Sequence, residues 1–168
     1  MLKAMDPKKL QENVFSLIGD KWMLITAGTG EKCNTMTASW GGLGVIWGAP
    51  AATCYIRPQR YTKEFVDREE YFTLAFFGEE HRAKLSLCGS KSGRDVDKAA
   101  ECGFTVAESA CGTPYFTQAQ LVLVCRKLYA DTIKPECFLD RSCDTDCYPE
   151  HDYHTMYIAE IVEALKQD

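Results

Sequence analysis

The run Asn34-Thr35-Met36-Thr37-Ala38-Ser39-Trp40 sets hydroxyls and amides among apolar residues, and Gly41, Gly42 and Gly44 follow at once. On a strand, successive side chains point to opposite faces, so the run has a polar row and a packed row. Polar side chains beside a buried wall suit an elongated, partly aromatic ligand with hydrogen-bonding edges and a phosphate. The glycines let the backbone turn or approach another group closely. The same residues also suit an ordinary strand and turn, since threonine favours β structure on steric grounds alone.

Two further groups could bind an anion. Arg57, Arg60, Thr62 and Lys63 put three cations and a hydroxyl near a helix start, where a phosphate gains charge-assisted bonds and free amides. Ser90, Lys91, Ser92, Arg94 and Lys98 form a second set in a loop and the helix after it. Solvated surface charge is the plain alternative for both. Other chemistry is poorly supported. No Gly-x-Gly-x-x-Gly and no Gly-Lys-Ser/Thr phosphate loop is present, and His81, His151 and His154 lack metalloprotease spacing. Ser39 and Ser92 sit in glycine-containing turns without the nucleophile-elbow pattern. A cysteine nucleophile stays open, because it depends on a local field that sequence does not reveal.

The chain has 168 residues, which predicts a single domain over 1–168 with a sizeable core. Its hydrophobic content of 46% and charged content of 26% are those of a globular protein. A formal charge of −5 supplies no basic field for nucleic acid or anionic lipid. With no apolar leader or spanning stretch, a cytoplasmic, membrane-free location is expected. Nine cysteines, an odd number, then read as mostly reduced thiols. Cys137, Cys143 and Cys147 cluster with Asp140, Asp144, Asp146, His151 and His154, but no Cys-x2-Cys pair anchors a site, so no metal is expected. A metal-binding structural or interaction protein using this loop is kept as an alternative.

The elements that must position these groups are mostly strands. Asp6-Pro7 and the stripe Leu10, Val14, Leu17, Ile18 predict an amphipathic helix ending at Gly19. Strands are predicted over 22–27, the Asn34 run, 42–47 and 51–56, with a turn at Gly48-Ala49-Pro50. A helix capped by Thr62 follows over 63–68, then a strand over 71–77 and a helix over 79–88. Asp95 is expected to cap the next helix, which stops at Gly103. Strands over 104–107, 118–130 and 153–164 complete the chain, and 131–152 reads as irregular. Short connections favour antiparallel topology. The strands over 118–130 and 153–164 are apolar on both faces, which suggests an obligate dimer covering one of them, unless helices do so within the subunit.

Three blocks in order make a more specific pattern: Asn34 to Gly42, Arg57-Pro58-Gln59-Arg60-Tyr61-Thr62, and Gly89 to Lys98. With the closing His154-x-x-x-x-Ala159-Glu160, this pattern resembles the flavin reductase-like family from about residue 10 to residue 165. The resemblance implies a mainly β fold with short helices, the antiparallel Greek-key FMN-binding split β-barrel. It also implies a homodimer holding FMN at the subunit interface.

Carried over by position, Asn34, Thr35, Met36, Thr37, Ala38, Ser39 and Trp40 would line the flavin. Arg57, Arg60, Thr62 and Lys63 resemble the phosphate-proximal block, and Tyr61 or Trp40 could pack near the ring. Ser90, Ser92, Arg94 and Lys98 resemble the loop closing over the cofactor, and His154 resembles a late-strand position able to bond a substrate. The implied activity is an NAD(P)H-dependent reductase, fed by NADH or NADPH, passing electrons to flavin, a ferric complex or a protein acceptor. A non-enzymatic, flavoredoxin-like FMN electron carrier has the same motifs. The 134–152 segment could gate the ring.

Overall fold

Connections between the four apolar runs from residue 23 to residue 56 are too short for crossover helices, and every strand pair is antiparallel among the described residues. The computed structural model describes residues 1–167. Its main sheet comprises β1 (Leu2–Met5), β2 (Met23–Gly28), β3 (Cys33–Ala38), β4 (Gly41–Ile46), β5 (Ala49–Ile56), β6 (Tyr71–Phe76), β9 (Leu121–Thr132) and β10 (Thr155–Gln167). The order is β3-β2-β6-β9-β10-β5-β4, with β1 also on β10. The end strands β3 and β4 are consecutive in the chain and joined only by Ser39 and Trp40, yet do not pair. The sheet is therefore mainly antiparallel but not a closed barrel. A two-stranded ribbon of β7 (Val106–Glu108) and β8 (Pro114–Phe116) lies apart.

Four short helices complete the fold: α1 (Tyr61–Arg68), α2 (Arg82–Ser90), α3 (Lys98–Cys102) and α4 (Arg141–Cys147). Two apolar cores result. One gathers Met23, Ile25, Phe72, Leu74, Leu123, Cys125 and Tyr157 with Phe65 and Val66 of α1. The other packs Leu24, Ala75 and Val122 against Leu85 and Cys88 of α2, Cys102 of α3 and Phe116 of β8. Alternate residues of β9 thus enter different cores, as a strand buried on both faces requires. Helices of the same chain cover the second face, so two-sided strands carry no argument for a partner subunit. On β10, a bulge between Ile161 and Glu163 turns Val162 outward, breaking the regular alternation expected of that strand.

Four local expectations are corrected. The N-terminal helix does not form as one piece. Asp6 caps a single 3-10 turn over Pro7–Lys9, Leu10 is extended, and a π-helix covers Ser16–Asp20. The Asn13 side chain accepts from the amides of Phe15 and Ser16, so it starts a separate turn. Trp47 is not in a strand, because Trp47 and Gly48 both take left-handed φ (53° and 76°) and make the two-residue turn whose twist matches the β4–β5 hairpin. Asp97, not Asp95, caps α3 through the Ala100 amide at 3.1 Å, and Gly103 ends it at φ 60°. Within 131–152, α4 stands on its Asp140 cap, so that segment is not irregular throughout.

Candidate functional site

β3 is an end strand, and the side chains along it face two adjoining cavities. The larger, about 490 Å³, is walled by Asn34, Thr35, Tyr61, Arg94, Asp97 and Lys98. The smaller, about 210 Å³, is walled by Thr37, Ser39, Trp40, Tyr55, Arg60 and His154, with Met36, Ala38 and Arg57 completing it. At about 3.3 Å per strand residue, Asn34 to Trp40 extends about 20 Å, enough for an elongated ligand.

Not every hydroxyl of the run faces a ligand. Thr35 is buried with its hydroxyl 2.9 Å from that of Thr26 and donating to the Ile25 carbonyl at 3.2 Å, so it ties β3 to β2. Thr37 donates to the Leu85 carbonyl at 2.5 Å, fixing β3 against α2. Asn34 donates to the Thr62 hydroxyl at 2.7 Å. Thr62 is buried in α1 and does not cap it; the helix begins at Tyr61, and Arg60 is the N-cap residue without a side-chain cap bond.

The cations divide by partner. Arg57 donates to Asp152 at 2.5 Å and to the Cys147 carbonyl at 2.9 Å, and its guanidinium lies 5.1 Å from the centre of the Tyr148 ring. Its nitrogens therefore hold the segment after α4. Lys63 pairs with Asp67 at 2.7 Å one turn along α1. Arg94 pairs with Glu64 while stacking 4.5 Å over the Tyr61 ring. Lys98 is buried and donates to the Thr35 and Cys88 carbonyls, each at 2.8 Å. Burial, then the nearby Arg60 charge, pushes its pKa down to about 8. Ser90 is exposed and bonds carbonyls of its own helix, and Ser92 accepts from the Arg94 amide.

Arg60 differs. Its Nη1 donates to the Gly89 carbonyl at 2.8 Å, and its Nη2 is buried with no hydrogen-bond partner. A guanidinium stays charged when buried, so this nitrogen is a donor lacking an acceptor, in a residue that helps wall the smaller cavity.

His154, just before β10, completes that cavity. Its ring centre lies 5.0 Å from Trp40 and 6.5 Å, edge-on, from Tyr55, and its Nδ1 lies 2.8 Å from the Tyr148 hydroxyl. Burial, and after it the Arg57 charge, pushes the imidazole pKa down to about 4 from 6.5, against a smaller opposing pull from Asp152. Between these values the unfolded chain binds more protons than the folded one. His154 therefore contributes stability that is full above about pH 6.5 and lost as pH falls toward 4. Urea titrations across this range should show that slope, and His154→Gln should flatten it.

Tyr55, Tyr148, Asp152 and the Gly89 carbonyl were not foreseen as site groups. The Asp140 cap was a usable signal for α4, whose end delivers Tyr148, but no local pattern pairs Arg57 with a carboxylate 95 residues away. Among the described residues, no three His, Cys, Asp or Glu side chains are grouped to hold a metal ion, and all nine cysteines are free thiols. No helix is long and apolar enough to cross a membrane among the described residues.

The site therefore consists of aromatic faces, an unpaired guanidinium nitrogen and a polar strand. The family model for the flavin reductase like domain matches residues 15–168. The chain belongs to the flavin reductase-like family. Solved structures of similar fold include flavoredoxin from Methanosarcina acetivorans, at 24% identity and TM-score 0.69, covering 95% of this chain and 75% of that one. An FMN-binding protein from Thermus thermophilus with bound 1-cyclohex-2-enone is 18% identical at TM-score 0.69, covering 96% and 80%. Flavoredoxin of Desulfovibrio vulgaris is 19% identical at TM-score 0.67, covering 88% and 69%. No curated protein sequence matches the chain.

Proposed function

We propose that this member of the flavin reductase-like family is an FMN-containing oxidoreductase that takes hydride from NADH or NADPH and passes electrons to flavin, a ferric complex or a protein acceptor. The observation carrying this reading is the unpaired, buried Nη2 of Arg60, a residue that lines the Trp40–His154 cavity. The cofactor is FMN, and the residues present fit it. Trp40 and Tyr55 offer aromatic surface to a planar ring, Arg60 offers a donor to a ring carbonyl or phosphate oxygen, and Arg94 and Lys98 place cations on the larger cavity. Bound FMN supplies the hydride and single-electron chemistry. The protein's part is to hold the cofactor, orient it and limit water at the ring; neutral His154 can bond a substrate but is not required to take a proton.

A homodimer belongs to this reading. Val14, Phe15, Ile18, Trp40, Leu43 and Tyr55 line an open, largely apolar groove continuous with the site through Trp40 and Tyr55, and Phe15 is 89% exposed beside it. The flavoredoxins among the similar structures keep a second reading in play, a carrier reduced by a protein partner.

Freshly purified protein should show flavin absorption bands, release a compound with the mass of FMN on denaturation and scatter light as a dimer. Anaerobic mixing with NADH and with NADPH then separates the readings. Rapid bleaching supports the reductase, and bleaching only by a protein donor supports the carrier. Protein that neither carries nor takes up FMN would remove both.

A further inference from the structure

We propose that Tyr148 is a positioning residue that holds His154 in the Nε2-protonated tautomer, so the imidazole meets the cavity as a hydrogen-bond donor and not as a base. Tyr148 and His154 are both buried, and the hydroxyl lies 2.8 Å from Nδ1. A phenol O–H is a stronger donor than an imidazole N–H, and an imidazole nitrogen a stronger acceptor than a phenol oxygen, so the hydroxyl directs its hydrogen to Nδ1. With Nδ1 accepting, the single ring proton of the neutral imidazole resides on Nε2.

The surroundings keep the ring neutral. The Arg57 guanidinium stacks on Tyr148 and is anchored by Asp152 and the Cys147 carbonyl; Arg60 lines the same cavity, and the Trp40 ring lies tilted with its centre 5.0 Å from that of His154. Nε2 has no hydrogen-bond partner among the described residues. His154 and Arg60, whose Nη2 also lacks a partner, line the same small cavity, so the pair selects an acceptor: a carbonyl oxygen, an unprotonated ring nitrogen or an anionic oxygen. The tautomer follows from the chain's own contacts; only its use at a flavin or substrate edge rests on the function proposed above. It also gives the segment after β9 a role, since α4 ends where Tyr148 must sit.

The test is long-range proton–nitrogen NMR on flavin-free protein carrying 15N-histidine, with His81 and His151 assigned by His→Gln variants. At pH 7 the wild-type His154 should show an unprotonated Nδ1 and a protonated Nε2. Tyr148→Phe keeps the ring packing and removes the hydroxyl; it should lower the ratio of the Nε2–H to the Nδ1–H form about fivefold, the bias that one net hydrogen bond supports. A wild-type ring protonated at Nδ1, or charged at pH 7, overturns the proposal without need of the variant. So does an unchanged ratio in Tyr148→Phe. FMN titration of the same samples keeps the two claims apart: the expected tautomer without FMN uptake sinks the proposed function alone, and FMN uptake with the opposite tautomer sinks this inference alone.

Discussion

Arg60→Met is expected to weaken FMN binding about 10- to 100-fold, the cost of losing one hydrogen bond from a charged donor in a buried site. Nη1 already spends its bond on the Gly89 carbonyl, so the affinity at stake belongs to Nη2. Arg60→Lys should restore little of it. A single ammonium cannot reach the Gly89 carbonyl and a second acceptor in the planar fork geometry of a guanidinium. Quenching of FMN fluorescence on titration measures the effect, with circular dichroism to confirm folding. Arg57→Lys is the informative contrast. Arg57 grips Asp152 and Cys147, so its loss should loosen the segment after α4 before it affects the ligand directly. Equal affinity in Arg60→Met and wild type would separate Arg60 from the cofactor.

Gly93→Ala is expected to destabilise the fold by about 1–3 kcal/mol, the usual cost of forcing extra volume into a packed site. A Cβ at position 93 would lie 1.8 Å from Oδ1 and 2.7 Å from Cγ of Asn34, far inside contact distance. Asn34 cannot easily yield, because it is buried and bonded to Thr62. The loop before α3 must therefore move, or the Asn34–Thr62 bond must break. Urea midpoints of Gly93→Ala, Asn34→Ala and the double variant would show the coupling: if the two side chains collide, the double variant loses less than the sum of the singles. Strict additivity would mean that the loop simply relaxes away.

Much of this was legible in the sequence. The run Tyr71–Phe76 is aromatic, β-branched or apolar at nearly every position, and a strand is the only short element that suits it between flanking charges and Gly78. The stop at Gly103 was legible because a left-handed residue there needs glycine. The first helix misled because Leu10, Val14, Leu17 and Ile18 keep helical spacing across a break made by the Asn13 side chain. At the site, the polar row of β3 and the cationic turn were visible as patterns. Which groups stay available was not. Thr35 is occupied by Thr26 on the neighbouring strand, Arg57 by Asp152, and Lys63 by Asp67, leaving Arg60 with the unpaired nitrogen. Such pairings depend on register and long-range packing, which residue spacing does not encode.

The two apolar cores have a consequence for how the molecule comes apart. Each contains two thiols, Cys54 and Cys125 in one and Cys88 and Cys102 in the other, while Cys111, Cys137 and Cys143 stand in solvent. The native chain thus carries its own alkylation clock. Reagent consumes the outer sulfurs at once, and each inner pair only as fast as its compartment breathes. Unequal rates for the two pairs would mark the core packed on α1 and the core packed on α2 and α3 as separate opening units, and equal rates would mark one cooperative block.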